Sequence, residues 1–368
     1  MKTAIFGYHT PNLGDDMQAM AAAAHLPYID TLINRDSLDR APLKEPHMCI
    51  MSSWFVVKNY RKAPMPALDP VFFGFCLGRD ELLDYEWRDY LKKHAPIGCR
   101  DMSTVTKLKA AGIDAFFTGC MTLFMGRQFD AVPESERKGV LFVDLPDWVI
   151  EKHIPAHIRE QATVLSNYAT SAIFNDPIAR MARMAEICDK LRHAKLVVTS
   201  RLHTLLPCVG FKTPAVVFVV GEPKTRNRFS GYDTFLPVFF HKDETVKADI
   251  DWDNLRTPPL PSEIEGHYAN LRRSIRERLG VEIPPTQSNI ARQMTLRLPA
   301  NLAVRSSSIV QVDMGISTSR LPVTLQGASS FSSFPAFDTM RRFRVPVSLK
   351  PSWYSSTKRI GPLNELIA

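Results

Sequence analysis

No stretch of these 368 residues approaches the ~18 consecutive apolar residues of a membrane span. The opening MKTAIFGYHT turns polar too early for a secretory leader and reads as a first strand. The sequence therefore predicts a cytoplasmic protein. Cysteine never occurs as Cys-x-x-Cys. The six cysteines are scattered at 49, 76, 99, 120, 188 and 208, which speaks against a structural zinc site. Cys49, Cys76, Cys99 and Cys208 lie in apolar segments and read as small core residues of a reducing compartment. Clusters of His and Asp at metal spacing are also missing, so no metal is expected. The Gly-x-Gly-x-x-Gly spacing of a dinucleotide fingerprint is absent. Charge of one sign is lacking over most of the chain. The formal net charge is +8, but residues 1–284 hold 36 Lys+Arg and 35 Asp+Glu. Residues 285–368 hold ten basic and three acidic residues. A balanced body argues against a nucleic-acid partner.

What is present is organised around Lys195 to Pro214. Leu196, Val197 and Val198 form a β-branched run suited to a strand buried on both faces. Thr199 or Ser200 then caps a helix. Leu202, Leu205, Leu206 and Val209 mark one apolar helical face. Gly210 fits a helix stop, and Ala215 to Val220 reads as the next buried strand. Pro207 inside the helix predicts a bend or a short helix. In parallel sheets ligands bind beyond the carboxyl ends of the strands. Arg201 and His203 fall there, at a helix start whose free N–H groups favour an anion. Arg201 offers a bidentate fork, and His203 a proton donor or acceptor near neutral pH. His203 is off the apolar face by its spacing, which predicts a side chain open to a bound anion and protonated by it.

Two other stretches share this setting. A strand over Thr3 to Phe6 runs into a turn-rich loop through Asn12 and Gly14. Asp15 or Asp16 then caps a helix through the alanines; capping uses one carboxylate and leaves the other for chemistry. Met48–Met51 and Val71–Phe75 read as buried strands, and Glu81–His94 as a helix. A strand over Pro96–Cys99 leads to Arg100, and Asp101 or Ser103 caps the next helix, which Gly112 closes. Phe129 to Lys138 reads as a hinge, and Gly139 to Val143 begins a second run of strands. Pro155–Leu165 reads as a helix, or ends in a short strand from Thr163; Pro177–Arg192 is a second helix. Lys224, Arg226 and Arg228 either face a phosphate or form a solvated loop. A last helix, Ser262 to Leu279, takes Ser262 as its cap. From Pro285, fourteen serines, few acids and no sustained period predict a poorly ordered, basic extension. Its aromatic residues, such as Phe331, Phe343 and Trp353, suit contact with a membrane surface; equally, the segment has no function.

Three stretches together resemble the polysaccharide pyruvyl transferases. They are the Asn12-Leu13-Gly14-Asp15-Asp16 loop with Gln18, the Cys99-Arg100-Asp101 turn with Ser103, and Ser200-Arg201-Leu202-His203 followed by Gly210 and Pro214. The resemblance covers roughly residues 1–280. It implies an α/β chain with two Rossmann-like domains facing a cleft, as in GT-B glycosyltransferases. The expected parts are residues 1–132 on the acceptor side, 133–284 on the donor side, and the extension from 285. It implies phosphoenolpyruvate as donor, no cofactor, and a glycan or lipid-linked oligosaccharide as acceptor, at the inner face of the membrane. His203 is then the candidate acid and Asp15 the candidate base. Arg100, Arg201, Asn12, Ser200 and Arg228 are the expected substrate-binding residues. A nucleotide-sugar glycosyltransferase and a non-catalytic glycan- or anion-binding protein are the alternatives.

Overall fold

A computed structural model describes residues 1–281 except 28, 57–60, 128, 130, 222 and 241–249, and three short strands further on. The first half carries β1 (Lys2–Gly7), α1 (Leu13–Ala23), β2 (Thr31–Asn34), β3 (His47–Ile50), β4 (Ser53–Phe55), β5 (Leu68–Val71) and β6 (Phe75–Leu77). It continues through α2 (Trp87–Lys93), β7 (Ile97–Cys99), α3 (Met102–Ala110) and β8 (Ala115–Phe117). The second half carries β9 (Lys138–Val143), α4 (Asp147–His153), α5 (Ala156–Arg159), β10 (Ala162–Leu165), α6 (Pro177–His193) and β11 (Ala194–Thr199). After it come α7 (Leu202–Phe211), β12 (Ala215–Val219), α8 (Pro223–Arg226), β13 (Val238–Phe240) and α9 (Ser262–Leu279).

The architecture is mixed α/β with several parallel sheets. The strand orders are β2-β1-β3-β5, β4-β6-β7-β8 and β10-β9-β11-β12-β13. The pairing in all three is parallel. Beyond residue 281, β14 (Met294–Arg297), β15 (Ile309–Asp313) and β16 (Pro322–Gln326) form a small sheet, β14-β16-β15. Runs of four or five residues are too short to reveal a period, which is why the sequence predicts no element there. The rest of the expected extension lies outside the described residues. Among the described residues, no helix is long and apolar enough to cross a membrane.

Several elements differ from the sequence pattern for local reasons. The expected strand Val71–Phe75 is two strands in different sheets, separated by Gly74 at φ +76°. Only glycine adopts that conformation readily. β3 gives way to β4 at the same level, since Ile50 pairs with Val71 and Ser53 with Phe75. Glu81–His94 contains only the short α2, preceded by a 3-10 turn at Asp80–Asp84. Within Pro155–Leu165 the chain makes α5 and then β10, so the strand alternative holds. Ser262 is not a cap: Pro261 precedes the helix and offers no side-chain acceptor.

Gly210 does not stop α7. The helix runs to Phe211 and ends at Lys212, whose φ is +56°. Gly210 instead allows a close backbone approach. A Cβ placed on Gly210 would lie 2.7 Å from the Leu123 carbonyl oxygen, and one on Gly126 would lie 1.7 Å from the Gly210 carbonyl oxygen. One apolar cluster joins the halves, from Ile5, Leu13 and Met17 through Leu123 and Phe124 to Leu205, Leu206 and Val217. α9 returns to the first half. Ile264, Tyr268, Leu271 and Ile275 are its buried side. Tyr268 stacks on Phe124 with ring centroids 3.9 Å apart and shares a 3.1 Å hydrogen bond with His25 Nδ1. Arg127 pairs with Glu265, and Arg278 with Asp69 at 3.3 Å.

Candidate active site

The site is built where parallel strands end and helices begin. Thr199 closes β11, and its Oγ1 accepts the Arg201 backbone N–H at 3.0 Å. Ser200 Oγ donates to the Asp144 carbonyl at 2.5 Å, tying this turn to the end of β9. Arg201 is the residue before α7, and neither Thr199 nor Ser200 occupies the capping position. Its Nε donates to Asp144 Oδ2 at 3.1 Å. Its Nη2 bonds the Tyr168 hydroxyl, and its guanidinium carbon lies 4.6 Å over that ring. Arg201 is thus partnered on two sides.

His203 is the second residue of α7, with non-helical ψ of 19°. Pro207 explains the irregularity, because a proline crowds the carbonyl four residues before it and offers it no N–H. The expectation of an open, protonated histidine needs correcting. His203 is only 3% exposed. Burial, then Arg100 and Arg228, hold it well below the usual imidazole range. Its ring is neutral in the free protein. Nε2 lies 3.8 Å from Cys120 Sγ, and Nδ1 has no hydrogen-bond partner. Gly14 packs against the ring: a Cβ there would be 3.0 Å from His203 Cβ and 3.2 Å from Nδ1.

Arg100 follows β7, and Asp101 caps α3 by accepting the Thr104 N–H at 2.9 Å. The Arg100 side chain is 0% exposed. Its Nη2 donates to Cys76 Sγ at 2.8 Å, while Nε and Nη1 lack hydrogen-bond partners. Asp101 Oδ2 stands 3.6 Å from Nε. Arg228 comes from the second half, in a 3-10 turn after α8. Its guanidinium lies 4.3 Å over the Trp54 ring, and its Nε is buried without a partner. Burial, then Arg100, brings it down to about 10. Arg100, Arg228 and His203 therefore share one electrostatic neighbourhood.

The two aspartates of α1 part company. Neither caps the helix. Asn12 does, through a 3.0 Å bond from the Gly14 N–H to its Oδ1. Asp16 forms a buried, two-pronged pair with Arg180 of α6, at 3.0 and 2.5 Å. Asp15 accepts from Thr10 Oγ1 at 3.0 Å and Gln18 Nε2 at 3.3 Å, and acts electrostatically on Tyr8 and Arg228. The Asn12 loop is also stitched to the second half. Leu13 N–H donates to the Asn167 carbonyl at 2.8 Å, and Ala169 N–H to the Pro11 carbonyl at 2.7 Å.

Sequence reasoning missed Tyr8, Trp54, Cys76, Cys120, Asp144 and Tyr168. Tyr8 and Asp144 directly follow β1 and β9, so the strand-end rule applied to Arg100 and Arg201 would have found both. Cys76 was expected in the core but in no site role, Cys120 was given no role, and all six cysteines are buried. Among the described residues, no group of three His, Cys, Asp or Glu could hold a metal ion.

A family model described as polysaccharide pyruvyl transferase matches residues 12–222. That span begins at the Asn12 cap and takes in Asp15, Arg100, Arg201 and His203; Arg228 falls just beyond it. Among solved structures, an uncharacterised protein from Klebsiella pneumoniae is similar at 13% identity. The match covers 65% of this chain and 92% of that one, with a TM-score of 0.38. No curated protein matches the sequence.

Proposed function

The chain belongs to the polysaccharide pyruvyl transferase family, and on that premise we propose that it transfers pyruvate from phosphoenolpyruvate to a sugar as a ketal. The supporting observation is that Arg100 and Arg228 carry buried N–H groups without hydrogen-bond acceptors and both act electrostatically on His203, whose Nδ1 also lacks a hydrogen-bond partner. Buried N–H groups of a cation left without acceptors are costly. A small multiply charged anion would remove that cost. Phosphoenolpyruvate brings a carboxylate and a phosphate, which suits two forks. In this reading the two halves are GT-B-like domains, Arg100 contributing from the acceptor side and Arg228 and Arg201 from the donor side.

As the anion binds, it raises the proton affinity of His203. The imidazolium then donates its proton to the methylene carbon of the donor, leaving an oxocarbenium-like C2. A sugar hydroxyl attacks C2 and loses its proton to Asp15. A second hydroxyl forms the other C2–O bond as the C2–O bond to phosphate breaks, its proton leaving with phosphate. The arginines stabilise the departing dianion. Asn12 contributes by capping the helix that carries Asp15, and Ser200 by fixing the Arg201 turn. No cofactor is needed for these steps. The acceptor is a glycan or lipid-linked oligosaccharide, met at the cytoplasmic face of a membrane.

Thermal stability with added donors tests the reading. At about 100 times its dissociation constant, phosphoenolpyruvate should stabilise the fold by ~2.7 kcal/mol. A strong shift with a nucleotide sugar and none with phosphoenolpyruvate would overturn it.

A further inference from the structure

The two ring nitrogens of His203 stand in different surroundings. Nε2 faces Cys120 Sγ at 3.8 Å, and Nδ1 faces the space that Gly14 leaves by having no side chain. Both residues are buried, Cys120 completely. Burial pushes the Cys120 thiol up, so the sulfur keeps its hydrogen at neutral pH. The Thr122 hydroxyl and backbone N–H and the Ser52 hydroxyl engage the sulfur as donors. The thiol hydrogen is then left for Nε2. A neutral imidazole carries one hydrogen, and the bond made at one nitrogen decides which of the two holds it.

Resting on the proposed function, we propose that Cys120 is a positioning residue: it occupies Nε2 of His203 and holds the ring hydrogen on Nδ1, so that an N–H is turned toward the donor anion. The chemistry of the neighbours favours this arrangement. Arg100 and Arg228 act electrostatically on the ring, and each carries N–H groups short of acceptors. A bare lone pair at Nδ1 would repel an anion held there, whereas an N–H adds one more donor. The hydrogen on Nδ1 is also on the nitrogen from which the acid step departs. Gly14 completes the device, since a Cβ only 3.2 Å from Nδ1 would crowd that nitrogen.

The test uses the full chain labelled with 15N-histidine, without donor, at neutral pH. His203 is assigned by the signals lost in His203→Gln. The expected spectrum shows a protonated Nδ1 and an acceptor Nε2. Cys120→Ala should move the ring to the Nε2–H form and lower kcat with phosphoenolpyruvate about 10- to 100-fold. Cys120→Ser, which keeps an X–H donor and nearly the volume, should restore the Nδ1–H form and much of the rate. An Nε2–H ring in the unaltered protein, or a spectrum unmoved by Cys120→Ala, overturns the proposal. The spectrum needs no donor. An Nδ1–H ring together with failure to turn over phosphoenolpyruvate would therefore support the Cys120 contact and sink only the reading of the reaction.

Discussion

Arg100 and Arg201 occupy the same kind of position, one after β7 and before α3, the other after β11 and before α7. Their surroundings are opposite. Arg201 has a side chain 31% exposed, yet it is bound to Asp144 and Tyr168. Arg100 is shut away from solvent, and two of its three nitrogens have no hydrogen-bond acceptor, its ion pair with Asp101 being long at 3.6 Å. Exposure and availability are thus different properties. The buried guanidinium is the one short of acceptors, and Arg201 must give up a carboxylate before it can take another anion. His203 sides with Arg100: its titration responds to Arg100 and Arg228.

Removing the histidine should have the largest consequence. His203→Gln is expected to fold, to keep most donor affinity and to lose turnover by about 10²- to 10⁴-fold, the usual range for a general acid. Near-normal turnover would detach the histidine from the Arg100 cluster and pass the proton to another group, with Asp15 next to examine. The two arginines themselves come second. Lysine keeps the charge and loses the fork. Arg100→Lys should weaken phosphoenolpyruvate binding by about 3 kcal/mol, roughly 150-fold, the upper end for charge-assisted bonds. Arg201→Lys should cost about 1.5 kcal/mol, roughly tenfold. Titration calorimetry giving equal losses at both positions would break the asymmetry.

A smaller change sharpens the same contrast from the other side. Tyr168→Phe removes one tether of Arg201, so phosphoenolpyruvate should bind up to about fivefold more tightly, the worth of one ordinary hydrogen bond. Weaker binding would mean that the hydroxyl itself meets the donor. The last effect is a displacement along the pH axis. Free His203 is held low by burial and by its cationic neighbours, and a bound anion raises it. The alkaline limb of kcat/KM, which follows the free enzyme, should therefore lie at lower pH than the alkaline limb of kcat. Coincident limbs would show that the donor does not change the proton affinity of the ring.

Much of the fold was legible because periodicity and β-branching act locally. The run Leu196–Val198 and the spacing of Leu202, Leu205, Leu206 and Val209 marked β11 and α7 directly. What was illegible depends on distant partners. Asp15 and Asp16 are adjacent in sequence, and only Arg180, 164 residues away, makes the second one structural. Counting helical faces left His203 off the core side, but Gly14 and Cys120 from elsewhere in the chain bury it. The Asp15-or-Asp16 cap failed for a local reason, because Asn12 stands one residue before the helix and reaches the Gly14 N–H first. A rule about strand ends pointed to Arg100 and Arg201. Nothing in spacing could say which of them would find a carboxylate within hydrogen-bond reach.

The return of α9 to the first half has a consequence for synthesis on the ribosome. Domains generally fold as they emerge, the N-terminal one first. Here the ring of Phe124, the imidazole of His25 and the carboxylate of Asp69 meet Tyr268 and Arg278, which are made more than 140 residues later. Until residue 279 has left the exit tunnel, the first half keeps an uncovered apolar face. A nascent chain stalled before α9 should be held by chaperones, and one stalled well after it should be released.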